Sequence, residues 1–176
     1  MPDSPVLGYI TVNADGDGFR GAALVVDHRG IPLDFRYTDA VSPTRLERVL
    51  YGDALEIYVR EEVILGSLLD AVEESPNIWI CGDRHLLEPV SNRAKCLAVT
   101  LEGANRNSLE EPGALSPMPE EGYYLLQVSL MGPPCRLSVL SESDSSKAAS
   151  ILVDAGATMD VLEPFNRIDR AIESLE

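Results

Sequence analysis

The chain has 176 residues, 45% of them apolar and 24% charged, and carries a formal net charge of −15. That size and composition fit one globular domain, residues 1–176, and the longest uncharged apolar runs, Gly21 to Val26 and Tyr123 to Met131, fall far short of the roughly 20 residues that span a bilayer. A surface this acidic, with lysine only at positions 95 and 147, should repel a polyanion, so autonomous nucleic-acid binding is not expected.

Met1-Pro2-Asp3-Ser4-Pro5 has neither the basic cluster nor the apolar core of a secretory signal, and a cytoplasmic location without membrane attachment is expected. Cys81, Cys96 and Cys135 are odd in number, widely spaced and flanked by apolar residues. They are read as reduced, mostly buried thiols rather than as disulfides or a zinc site.

Gly8 to Asn13 alternates Tyr9, Thr11 and Asn13 with Ile10 and Val12, the pattern of a strand. The two Asp-Gly pairs of 15–18 favour a hairpin into a second strand, Phe19 to Asp27. After the turn His28-Arg29-Gly30, Ile31 to Thr38 is a third strand with Leu33, Phe35 and Tyr37 on one face. Ser42-Pro43 has the form of a helix start. A helical apolar stripe then runs through Leu46, Val49, Leu50, Ala54, Ile57, Tyr58, Ile64, Leu65, Leu68, Leu69 and Val72, divided or kinked at Gly52 and Gly66 and ended by Pro76. Ile78 to Cys81 reads as a central strand covered on both faces, Gly82 to Asn92 as a loop with one helical turn, and Lys95 to Leu101 as a fifth strand.

Residues 102–122, rich in proline, glycine and glutamate, read as an acidic loop or linker. Tyr123 to Met131 and Arg136 to Leu140 read as two more strands around Gly132-Pro133-Pro134. Residues 143–176 form a helical segment, with Ser143 or Asp144 capping a helix to about Ala155 and a second helix running from Pro164 to the end.

Three antiparallel strands, a long helix, a buried strand and a further helix and strand resemble the start of the ribonuclease-H-like fold, and residues 7–101 resemble endonuclease V in layout. Val25-Val26-Asp27 through Leu33-Asp34-Phe35 resembles its second and third strands, and Ile78-Trp79-Ile80-Cys81-Gly82-Asp83 resembles the strand that ends in a carboxylate. The expected fold is therefore α/β, or α+β, with a mixed sheet that opens on a three-stranded meander. The resemblance implies carboxylates converging on two divalent ions, Mg²⁺ or Mn²⁺, that activate a water and stabilise the leaving oxygen. The first of these should project from the middle of the first strand, where Gly8 to Asn13 has none. Under a nuclease reading, Asp15, Asp83 and either Glu47 or Glu56 are the candidate catalytic residues, with Asp15 and Asp83 as metal ligands.

Other chemistry has weaker signals. Cys81-Gly82-Asp83-Arg84-His85 sets a thiol near a histidine after a buried strand, yet Cys81 as the last strand residue should point into the core. No dinucleotide fingerprint, phosphate loop or nucleophile elbow is present. Asp15-Gly16-Asp17-Gly18 has part of a calcium loop without its distal glutamate, and a tight turn explains it better.

The leading expectation is a non-catalytic acidic domain, without cofactor, that binds another protein as a subunit of a larger cytoplasmic assembly. Its contacts would be the 103–122 loop or the apolar face Leu162, Phe165, Ile168, Ile172 and Leu175 of the last helix. The alternative is the divalent-metal-dependent nuclease. A second alternative is an acidic surface that imitates nucleic acid for a basic partner.

Overall fold

The Asp-Gly turn and the alternation on either side of it produce a hairpin in the computed structural model, which describes residues 4–175. Met1 to Asp3, part of the segment read above for targeting, and Glu176, the last residue of the expected terminal helix, lie outside it. Strands β1 (Leu7–Asp15) and β2 (Gly18–Val26) pair antiparallel and turn at Gly16, whose φ of 64° lies in the left-handed region such turns demand. β3 (Pro32–Tyr37) completes the meander. The link from β2 to β3 is fastened by Asp27. Its carboxylate accepts hydrogen bonds from the Arg29 and Ile31 amides and from the Arg29 guanidinium.

Partial burial works against the charged form of Asp27, but these bonds outweigh it and hold its pKa at about 2, below the ordinary 3.8. A depressed carboxylate stabilises the fold above its ordinary value and loses that effect as pH falls through the folded one. The gap in Tm between the wild type and Asp27→Asn should thus be open at neutral pH, narrow below about pH 4, and close near pH 2.

Residues 44–72 depart most from expectation. Thr44, not Ser42, caps the first helix: its hydroxyl accepts from the Glu47 amide (3.2 Å) while the Glu47 carboxylate accepts from the Thr44 amide (3.0 Å). Helix α1 (Arg45–Tyr51) stops at Gly52, at φ 52°. A 3₁₀ turn, the single turn α2 (Leu55–Ile57), a π-helical segment (Tyr58–Leu65) and α3 (Gly66–Ala71) follow. The break at Gly52 takes α1 out of phase with the rest, so Leu46, Val49 and Leu50 are 66–73% exposed instead of buried, and Ile57 on α2 is 59% exposed. Beyond the partly buried Leu55, the segment faces the sheet from Val59 onward, through Val59, Ile64, Leu65 and Leu68. Gly66 keeps helical backbone angles and marks the change from the π-helical segment to α3, and Val72 turns extended before Pro76.

Strand β4 (Ile78–Cys81) lies parallel to β1. The expected loop after it is instead a 3₁₀ turn and α4 (Leu87–Ala94), leading to β5 (Leu97–Gly103), parallel to β4. The 102–122 segment contributes β6 (Leu115–Pro117), whose Leu115 packs against the core. β7 (Tyr123–Leu126) and β8 (Cys135–Ser138) are shorter than expected. The eight strands run β3-β2-β1-β4-β5-β8-β7-β6. Helices α5 (Glu142–Gly156), which starts at Ser141 rather than at 143 or 144, and α6 (Glu163–Ser174) close the chain.

Alternation sorts the buried strands between two layers. Leu7, Tyr9, Ile78, Ile80, Val99 and Leu101 face α5 and α6, whereas Ile10, Val12, Trp79, Cys81 and Ala98 face the π-helical segment, α3 and α4. This is a three-layer α/β arrangement around a mixed sheet, the expected class. The apolar face assigned to a partner is used at home: Leu162, Phe165, Ile168 and Ile172 pack on the first layer, and Leu175 is 47% exposed. The Phe165 ring meets Tyr9 edge-on at 5.2 Å, and the buried Tyr9 hydroxyl donates to the Val161 carbonyl at 2.6 Å. Tyr9→Phe orphans that carbonyl, with an expected loss of about 1–3 kcal/mol in urea unfolding. No helix among the described residues is long and apolar enough to cross a membrane.

Candidate functional site

Parallel strands bring their carboxyl ends to one edge, where open α/β sheets place their sites. Here β1, β4 and β5 deliver Asn13 to Asp15, Gly82 to Arg84, and Glu102 to that edge. The Gly82 amide donates to the Ile10 carbonyl (2.9 Å) and extends the β1–β4 ladder by one step. A Cβ at position 82 would lie 3.1 Å from the Thr11 methyl. The Thr11 methyl therefore packs against the Gly82 backbone between the two strands.

The candidate carboxylates are placed apart, each in a local role. Asp15 pairs with Arg20 across the hairpin (3.4 Å). Asp17 accepts from Ser42 (2.9 Å) and pairs with Arg48, which makes Asp15-Gly16-Asp17-Gly18 a braced turn. Glu47 is occupied by the α1 cap, whose bonds from Thr44 lower its pKa. Asp83 accepts from the His85 amide (2.8 Å), capping the turn into α4, and from the Arg60 guanidinium (2.6 Å). Glu56 meets the same guanidinium at 3.5 Å. Of the four candidates, only Asp83 and Glu56 share a neighbour, and it is a cation.

Among the described residues no three histidine, cysteine, aspartate or glutamate side chains gather closely enough to hold a metal ion. The donor set does not fit a two-metal centre. Cys81 fares no better as a nucleophile: burial, reinforced by Asp83 and Cys96, pushes its thiol far above the ordinary range, while thiol chemistry needs the thiolate.

Sequence reasoning missed a group of arginines around an aromatic ring. Tyr123, the first residue of β7, has the Arg84 guanidinium 4.9 Å from its centroid and that of Arg136, on β8, at 4.4 Å. Arg84 donates to the Val139 carbonyl (3.2 Å) beneath Gly122, where a Cβ would come within 2.8 Å of the guanidinium. Arg136 reaches Glu102 (3.2 Å) and Glu120 (3.4 Å). A cleft of about 310 Å³ opens between Gly82, Asp83, Arg84, Thr100, Tyr123 and Arg136. Arg84 Nη1 and Arg136 Nε, both buried, meet no acceptor among the described residues. Unmatched buried guanidinium donors are costly, and an anion with several acceptor oxygens is the partner that would satisfy them. Arg84 and Arg136 lie over fifty positions apart, so only the pairing of β8 with β5 and β7 reveals the group.

No protein-family model matches the chain, and no curated protein sequence does. Solved structures are similar from end to end. Endonuclease V of Streptomyces avermitilis superposes with a TM-score of 0.59 at 16% identity, over 99% of this chain and 87% of that one. Endonuclease V of Bacillus subtilis gives 0.51 at 13%, over 94% and 83%. Endonuclease V of Ciona intestinalis, in complex with a 24mer DNA containing an inosine followed by a ribo-adenosine, gives 0.52 at 9%, over 98% and 88%. These likenesses overturn the expectation of a non-catalytic protein-binding subunit without nucleic-acid contact: the proteins that share the architecture are nucleases, one of them seated on DNA. With its order of strands, its two helical layers and these neighbours, the chain has the ribonuclease-H-like fold in the form found in endonuclease V.

Proposed function

We propose that this protein engages nucleic acid at the carboxyl edge of its sheet, with a backbone phosphate seated against Arg84 and Arg136 beside the Tyr123 ring. The observation that carries the reading is the pair of guanidiniums on one ring, each with a buried donor that lacks an acceptor. The fold shared with endonuclease V supports it, and the DNA in the Ciona complex supplies the ligand class. The cleft is not an unopposed cation, because Glu102 and Glu120 already lean on Arg136. A phosphate would displace those exposed contacts, which are worth little in water, and would satisfy the inner donors.

The test is fluorescence anisotropy with labelled single-stranded DNA, with and without an inosine, over a salt series. Binding that saturates by roughly 100 μM and weakens linearly in log salt is expected. Preference for the inosine strand would narrow the substrate class to that of the Ciona protein.

A second reading, phosphodiester hydrolysis with Mg²⁺ or Mn²⁺ as cofactor, is favoured by the shared nuclease fold and opposed by the scattered carboxylates. Cleavage of either strand in millimolar Mn²⁺, abolished in Asp83→Asn, would establish it. An intact strand would leave recognition as the role of this edge.

A further inference from the structure

The carboxylates that do converge, Asp83 from the end of β4 and Glu56 from α2, converge on Arg60. Its Nη2 donates to Asp83 Oδ2 at 2.6 Å and its Nη1 lies 3.5 Å from Glu56. The Arg60 side chain is only 17% exposed, and its guanidinium also lies 5.8 Å from the Phe19 ring centroid. It projects from the π-helical segment, a rare backbone form that shifts the side chains after it by about one position relative to a regular helix. We infer that the Arg60 guanidinium stands as a resident cation between these two carboxylates, doing for their charge what a divalent ion does elsewhere, so that the protein works without metal.

Three features argue for this over an incidental surface ion pair. Among the ion pairs of the described residues Arg60 is the least exposed cation, at 17%, while its partners Asp83 and Glu56 are 38% and 63% exposed, so the positive charge is the inner member. The planar fork takes two carboxylates at once, as a bidentate cation should and a single ammonium would not. Between the ends of β1 and β4, Gly82 rests on the Thr11 methyl, and among the described residues no third carboxylate, histidine or cysteine joins Asp83 and Glu56 to complete an ion's shell.

The inference rests on the proposed function only for what the cation serves. Its own test needs no nucleic acid. Thermal unfolding is followed against Mn²⁺ up to millimolar concentration in the wild type, in Arg60→Met, which keeps the apolar stem packed, and in Arg60→Met/Asp83→Asn. The wild type is expected to show no shift. Arg60→Met should gain a Mn²⁺-dependent rise of about 2–5 °C that chelator reverses and Asp83→Asn removes. A rise in the wild type, or none in folded Arg60→Met, overturns the inference. If Arg60→Met does not fold, Arg60→Gln takes its place with the same expectations. Failure of DNA binding in the anisotropy experiment would leave these results intact and would bear on the proposed function alone.

Discussion

In the double variant Arg84→Ala/Arg136→Ala, affinity for single-stranded DNA is expected to fall about 100-fold, with each single change costing about tenfold. A hydrogen bond to a charged group contributes about 1.5–3 kcal/mol, and about 1.4 kcal/mol is a factor of ten. Two such contacts to one phosphate make the estimate. The slope of log affinity against log salt should also flatten, since fewer counterions are released. Both side chains are partly exposed, and Arg84 makes one hydrogen bond to the Val139 carbonyl, so the fold should tolerate their loss. Anisotropy and thermal unfolding on the same samples separate the two effects. Unchanged affinity in a folded double variant would remove these arginines from the interface.

Ile64→Ala should lower stability by about 2–5 kcal/mol, as full truncation of a buried aliphatic side chain does. Ile64 is fully buried in the layer that carries Arg60, and its Cγ2 lies 2.4 Å from where a Cβ on Gly21 would stand. Gly21→Ala alone should therefore also destabilise, because β2 and the π-helical segment are already in contact there. In the double variant Gly21→Ala/Ile64→Ala the new methyl enters the space vacated by isoleucine, and the combined loss should be smaller than the two single losses added. Urea unfolding of the four proteins measures this coupling. Losses that simply add would mean that this contact does not set the seat of the π-helical segment, and with it the position of Arg60.

Much of the fold was legible because it depends on local alternation. The meander, the buried run Ile78 to Cys81 and the strand that follows it in sequence, β5, are legible from side-chain periodicity and turn chemistry, and they were enough for the ribonuclease-H-like resemblance. The stripe from Leu46 to Leu50 misled, because a single left-handed glycine at 52 changes the phase of everything before it while leaving the spacing of apolar residues helical. The place of β8 between β5 and β7 could not be read, since no local pattern records that β8 pairs with β5 across more than thirty residues.

The site was legible only in part. Of the acidic residues singled out, Asp83 and Glu56 meet one side chain, and it is a cation, Arg60, which reads in sequence as an ordinary polar member of a helix face. The net charge of −15 argued against nucleic acid because it counts charges without locating them. At physiological salt, charges are screened over about 8 Å, so a pocket with two guanidiniums answers to its own neighbours more than to the distant surface. Arg60, Arg84 and Arg136 come to one edge only through folding.

The most direct test is anisotropy of a labelled single strand with the wild-type protein in EDTA. Salt-sensitive binding that saturates by roughly 100 μM without any divalent ion, and is lost in Arg84→Ala/Arg136→Ala, is the predicted result. No binding in EDTA at that concentration, or binding that appears only when Mg²⁺ or Mn²⁺ is added, would contradict it.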